Sequence, residues 1–231
     1  MIANLPTSST GTILDVVVAA RNNAATLGPV LAGLPVRLIR SVVVVDNAST
    51  DATAQVARDT GAIVLREPKL GYGAACHRAV AHLEVLPVAP EVVVFLPPDG
   101  SVDPQEICRL LEPVETQNAE LVIGVRRVGP GLGSRVVLRL MGAIYGHRFE
   151  DLGPFRAVRF PALVAMGLVD RGAGWDVEMQ VKSVMLGLQV VEVPITSRPV
   201  RRRQTRSKEV ARSIEATGRG LFHLLRNATA R

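Results

Sequence analysis

Short, unbroken apolar runs, each closed by a polar turn, alternate along this chain with stretches of helical spacing. The clearest run is Val42 to Val45, closed by Asp46. A β-branched run with no polar alternation predicts a strand buried on both faces, as in a parallel sheet. Ile13–Ala19, Ile63–Leu65, Glu91–Leu96, Leu121–Gly124 and Leu188–Val193 read the same way. Helical patterns occupy Ala24–Leu34, Ala52–Arg58 (with Thr50 and Asp51 as caps), the stretch opened by Gly71 and Gly73, Pro104–Thr116 and Ser134–Tyr145. The last, strongly apolar helix is expected in the core or a subunit interface, which makes a homo-oligomer one expectation. Residues 209–231 form an amphipathic pattern, with Ile214, Leu221, Leu224 and Leu225 opposite Arg212, Arg219 and Arg226. Strand alternating with helix predicts an α/β fold with a mostly parallel central sheet flanked by helices. Asp46, and the acidic turn after Leu96, then stand at carboxyl ends of strands, where open α/β sheets bind ligands.

At 231 residues, without a linker-like break or internal repeat, the expectation is one domain over 11–208. Residues 1–10 read as a loose tail and 209–231 as the appended helix. A composition of 48% hydrophobic and 21% charged residues is globular. No apolar run reaches the ~20 residues of a membrane span, and residues 1–10 lack the basic and apolar parts of a secretory signal. Cys76 and Cys108 form neither a CxxC nor a Cys/His cluster. A cytoplasmic setting is expected, in part at the inner face of a membrane.

The net charge of +6 gathers at Arg198, Arg201, Arg202, Arg203, Arg206, Lys208 and Arg212. Such a cluster suits phosphate-bearing substrates, anionic lipid or a solvated loop. With only 3% aromatic residues the chain lacks stacking platforms, so no nucleic-acid partner is expected. The turn after the first strand has neither a G-x-G-x-x-G nor a P-loop, which counts against ordinary dinucleotide and NTPase folds.

The segments VVVAARNNAATLGPVLAGLP (16–35), VVVVDNASTDATAQVARDTGA (42–62), REPKLGYGAA (66–75), FLPPDGSVDP (95–104), DLGPFRA (151–157), GWDVEMQVK (174–182) and VPI…RSK (193–208) carry a resemblance. In this order and spacing the chain resembles the inverting glycosyltransferases of family 2, in the branch that makes dolichyl- or polyprenyl-phosphate mannose or glucose. The resemblance implies a GT-A fold, a nucleotide-diphosphate sugar donor, a polyprenyl phosphate acceptor and a divalent cofactor, Mg²⁺ or Mn²⁺. It assigns donor binding to Ala19, Arg21, Asn23, Asp46, Gly71, Pro98 and Asp99, with Asp99 also the metal ligand. It places Asp151 before the acceptor, and Arg156, Arg202, Ser207 and Lys208 on phosphate. Four positions depart from the family pattern. Asn23 replaces Glu, Pro97 replaces the first Asp of the D-x-D motif, the loop Arg126–Gly133 is short, and Thr205-Arg206 replace a glycine.

A phosphate monoester is largely ionised at neutral pH, its second pKa lying near about 6, and needs no base. A hydroxyl acceptor needs one, with Asp151 first and Glu178 second. Glu178 and Lys182 are four apart on a helix, so an ion pair is the expectation there. His77 and His147 read as structural. A catalytically degenerate nucleotide-binding protein is the reading from another class, motivated by Pro97.

Overall fold

The computed structural model describes residues 11–127 and 132–198. Seven strands, β1 (Leu14–Ala20), β2 (Ser41–Asp46), β3 (Ile63–Arg66), β4 (Val92–Phe95), β5 (Leu121–Arg126), β6 (Arg156–Arg159) and β7 (Val190–Ile195), form one sheet ordered β3-β2-β1-β4-β6-β5-β7. Only β6 is antiparallel to its neighbours, β4 and β5. The helices are α1 (Ala24–Ala32), α2 (Thr53–Asp59), α3 (Tyr72–Glu84), α4 (Ile107–Thr116), α5 (Leu132–Tyr145), α6 (Phe160–Ala165) and α7 (Trp175–Met185). The expected mostly parallel sheet with flanking helices is present.

The apolar runs are explained by helices on both faces. Val17, Val43, Val45, Val93 and Phe95 pack with Ala75, Cys76, Leu83, Met141, Trp175 and Met179 of α3, α5 and α7. Val16, Val18, Val44, Val92 and Val94 pack with Leu27, Val30, Ile107, Leu110 and Val114 of α1 and α4. Successive side chains of one strand thus enter different cores, so both parities must be apolar.

Two helix starts depart from expectation in instructive ways. Helix α2 begins at Thr53, and Asp51 accepts from both the N–H and the hydroxyl of Thr53. Its other oxygen accepts from the N–H of Ala24, so Asp51 joins the starts of α1 and α2 instead of capping one helix. Pro104–Glu106 is a 3₁₀ turn whose cap is Asp103, accepting from Gln105 N–H at 3.0 Å; α4 follows. Strand β6 and helix α6 were not foreseen, because a four-residue strand with an arginine at each end has no apolar signature.

The sheet order reverses between β1 and β4: the chain runs β1-β2-β3 to one side, then crosses back to β4 on the other. Such a reversal is the place where open α/β sheets take ligands, in a crevice at the carboxyl ends of the strands. Being antiparallel, β6 starts at this same edge, with Arg156 in register with Phe95 and Ile123. The loop 151–155 therefore arrives beside the ends of β4 and β5. Strand β7 ends there too, and Arg198 N–H donates to Ser101 O at 2.8 Å, two residues beyond Asp99. The 1–10 tail, the boundary at 208, the helix at 209–231, and Arg202, Ser207 and Lys208 lie outside the described residues.

Candidate active site

The crevice is built on stitched loops. After β1, Asn22 N–H donates to Ser49 Oγ (3.1 Å), Asn23 N–H to Thr53 Oγ1 (2.8 Å), and Asn22 Oδ1 accepts from Thr50 N–H (2.8 Å). The loops following β1 and β2 are thus one platform. Arg21 is exposed on it, Ala19 lies half-buried in β1, and Asn23 turns its Oδ1 to Arg21 N–H (3.0 Å). Asp46, at the end of β2, is 7% exposed and accepts from Ser49 N–H. Between them Ala48 is held at φ 54, a left-handed conformation that costs a residue with a Cβ about 1 kcal/mol.

Asn47 does more than turn the chain. Its amide donates to Glu67 O (3.1 Å) and Lys69 O (2.7 Å), and its Oδ1 accepts from Gly71 N–H (2.9 Å), latching the loop after β3 to the end of β2. Gly71, expected at the donor, has a packing reason of its own. At φ 144, a Cβ there would sit 2.0 Å from Arg171 O. The first turn of α3 abuts residues 170–172, with Gly73 N–H donating to Gly172 O and Ala74 N–H to Arg171 O. Those amides are consumed by protein, so this helix start offers little to an anion.

Across the crevice, Pro98 O accepts from Thr26 Oγ1 (2.8 Å), and Asp99 Oδ1 accepts from Ser101 N–H (3.1 Å). Among the described residues no three His, Cys, Asp or Glu side chains cluster as a preformed metal site.

The acceptor side differs most from expectation. Asp151, 1% exposed, is gripped by Arg126 through two parallel bonds, Nε to Oδ2 at 2.7 Å and Nη2 to Oδ1 at 2.8 Å. Arg126 N–H adds a third contact at 3.2 Å. Both carboxylate oxygens are thereby taken up in a bidentate guanidinium pair, a geometry that fixes the two side chains against each other. Asp151 therefore orients Arg126. The hydrogen-bonded Asp151 carboxylate raises Arg126's already high pKa against the opposing effect of burial, with further contributions from the charges of Asp151, Asp176 and Asp99. Glu192 of β7 supports the loop by accepting from Glu150 and Asp151 N–H, and Gln180 donates to Asp151 O.

Arg156, expected on phosphate, is not exposed and does not pair with Asp151. It is fully buried, donating from Nε to Gly153 O (2.8 Å) and from Nη1 to Asp176 O (2.9 Å). Its Nε lies 3.5 Å from Asp176 Oδ1. As the first residue of a central strand it faces inward and supports the site from below. Glu178 pairs with Lys182 at 3.1 Å, as expected of their spacing. Burial pushes its carboxyl up, but the N–H groups of Asp170 and Val169, with Lys182, outweigh that and hold it below the usual range. It is structural. His77 stacks edge-on against Trp175 at 4.7 Å, within the α3–α7 contact.

Asp176 was not singled out from sequence. Burial, with a lesser push from Asp151 and Asp170, raises its carboxyl to about 6 against the pull of Arg156 and Arg126. Its Oδ1 is buried without a hydrogen bond, as are Arg156 Nη2, Gln180 Oε1 and Trp175 Nε1 close by in the fold. Buried polar atoms left unsatisfied in a cleft mark where a ligand or water completes the structure. A sequence signal existed, an Asp opening a helix just after Gly-Trp, but Glu178 two residues on masked it.

Comparison with known proteins agrees with this geometry. The family model for Glycosyl transferase family 2 matches residues 15–164. A Mycobacterium tuberculosis protein described as an uncharacterized glycosyltransferase is 34% identical over 197 residues, covering 82% of this chain and 87% of its own. An undecaprenyl-phosphate mannosyltransferase from Micrococcus luteus is 36% identical over 175 residues, 67% of this chain and 70% of its own. Among solved structures, glucosyl-3-phosphoglycerate synthase from Mycobacterium tuberculosis, in complex with Mn²⁺, uridine diphosphate and glucosyl-3-phosphoglycerate, superposes with a TM-score of 0.78. At 23% identity it covers 94% of this chain and 81% of its own. The expected GT-A architecture is the one present.

Proposed function

The chain belongs to glycosyl transferase family 2 and is a glycosyltransferase; from that premise we propose that it moves a hexose, with inversion, from a nucleotide-diphosphate sugar to a polyprenyl phosphate. One observation carries the acceptor choice: both Asp151 oxygens are held by Arg126, so the carboxylate is engaged in positioning a guanidinium, a group whose fork geometry suits phosphate. That suits an acceptor which arrives already ionised. Relatives named undecaprenyl-phosphate mannosyltransferase and dolichyl-phosphate hexose transferase support the reading.

In the proposed arrangement the donor lies in the crevice between β1 and β4. Arg21, Asn23 and Ala19 form one wall with Asp46 and the Gly71 loop beneath the nucleoside, and Pro98 and Asp99 form the other. Asp99 offers one carboxylate, which fits a hard divalent cation that takes its remaining ligands from the diphosphate and water. Mg²⁺ or Mn²⁺ held there would stabilise charge on the departing diphosphate. Arg202, Ser207 and Lys208 are proposed on the same phosphates, a role favoured by the chain reaching residue 198 beside Ser101. Arg126 orients the acceptor phosphate so that one oxygen attacks the anomeric carbon opposite the leaving group; the C–O bond to diphosphate breaks as the new one forms.

A second reading follows from Asp176. A carboxyl raised to about 6 is matched to general-base work near neutral pH, which a hydroxyl acceptor would require. The structural neighbour is a glucosyl-3-phosphoglycerate synthase bound to glucosyl-3-phosphoglycerate, a sugar on a non-lipid hydroxyl. The test is transfer of labelled sugar from a panel of nucleotide sugars to undecaprenyl phosphate, to 3-phosphoglycerate or to no added acceptor. Label in the organic phase supports the lipid reading. Label confined to a water-soluble product establishes the second, and donor binding without turnover establishes a degenerate scaffold.

A further inference from the structure

Helix α5 was expected to be buried or to join subunits, yet only one side of it meets the core. Val137, Leu138, Met141 and Tyr145 face inward, at 1%, 8%, 1% and 9% exposure. The opposite side carries Val136 at 49% and Leu140 at 36%, with Ala143 also exposed. Spaced by four and three residues, these three form a single apolar stripe. Along one flank of it stand the exposed Arg135 and Arg139. Arg148 continues that flank, lying across Gly142, where an added Cβ would meet its side chain at 3.3 Å. No residue of α5 is acidic.

We propose that this face of α5 docks on an anionic membrane surface, the stripe entering the headgroup boundary and the arginines meeting lipid phosphates. An exposed apolar stripe with a cationic margin is the form of an interfacial helix. A second copy of this chain is a poorer occupant. Two such faces would oppose arginine to arginine with no carboxylate on either helix, and three side chains fall far short of the roughly 800 Å² per partner of a stable dimer. Placement also fits. Helix α5 follows the short connection from Arg126 and packs on α7, which carries Asp176. Docking would bring the acceptor side of the site to the headgroups. The inference rests on the lipid-phosphate reading for its purpose, but its test reads vesicle binding and never sugar transfer.

The full chain is floated at low salt with phosphatidylcholine vesicles, with and without phosphatidylglycerol, none containing polyprenyl phosphate. The pairs Val136→Ser/Leu140→Ser and Arg135→Gln/Arg139→Gln are compared with the parent. A control pair, Val164→Ser/Val169→Ser, removes exposed apolar side chains outside α5. The parent should partition onto the anionic vesicles, and each α5 pair should bind at least about tenfold less, since one arginine near an anionic surface accounts for about fivefold. The control should bind as the parent does, and all variants should keep the parent's circular dichroism. Parent-like flotation by both α5 pairs, or no flotation by the parent, overturns the proposal. So does a parent dimer that Leu140→Ser turns monomeric with flotation unchanged. Flotation that fails in the α5 pairs, alongside absent transfer to undecaprenyl phosphate, would leave the docking standing and refute the acceptor reading.

Discussion

Replacing Asp176 by Asn should stabilise this protein at neutral pH. An ordinary aspartate titrates near 3.8, and burial raises Asp176 to about 6. Below about pH 3 the group is protonated whether the chain is folded or not, and it contributes nothing to pH dependence. Between pH 4 and 6 the unfolded chain releases its proton first, so the wild type loses stability as pH rises. Above pH 6 the full penalty of a charged, mostly buried carboxylate applies, up to about 3 kcal/mol. Asparagine has the same shape and no charge to desolvate. Asp176→Asn should therefore gain up to about 3 kcal/mol at pH 8, roughly half of that at pH 5, and almost nothing near pH 3. For a domain of this size the neutral-pH gain corresponds to a rise in Tm of about 6–12 °C. Urea unfolding of both proteins across that pH range measures it. A variant no more stable than the parent at pH 8, or a gain that does not change with pH, would refute the assignment of a strained carboxylate. Transfer assays on the same samples separate the acceptors: a large fall in kcat is expected if the acceptor is a hydroxyl, and a modest one if it is a phosphate.

Asp99→Asn should abolish the enhancement of nucleoside-diphosphate affinity by Mn²⁺ in calorimetry, while Asp103→Asn, which keeps a capping side chain over Gln105, should leave it intact. If chelation does not change the parent's affinity, the metal reading fails. Arg126→Gln should cost about 2 kcal/mol in urea unfolding, because it strands the Asp151 charge; partial exposure of the arginine (39%) keeps this below a fully buried pair. It should also depress transfer more than donor binding. Ala48→Gly should raise stability by about 1 kcal/mol by relieving its positive φ, measured by thermal unfolding. Gly73→Ala should lower it by about 3 kcal/mol, since the new Cβ would lie 2.3 Å from Asp170 O; a neutral result would mean the loop 170–172 yields easily.

The strands β1, β2 and β4 were legible because burial on both faces leaves no parity for polar residues, and Asp46 and Asp99 were legible because each closes such a run. Helices α1 to α5 were legible to within a few residues from spacing. What pairing and packing decided is of another kind. Arg156 follows Asp151 by only five residues, but the antiparallel insertion of β6 turns it under the sheet edge and leaves Asp151 to Arg126, twenty-five residues away. Gly71 was expected at the donor and Gly73 only at a helix start, yet the need of both for a bare Cα comes from carbonyls about a hundred residues on. Asp176 carries no local sign of its raised pKa, which is the sum of burial and of charges contributed by β5, β6 and the 151 and 170 loops. Periodicity marked α5 as apolar, but a helix apolar on most sides does not announce which side the core will cover. Local sequence determines what a segment prefers to be. Which buried charge meets which partner, and which apolar face stays outside, are long-range outcomes that exist only once the sheet order is set.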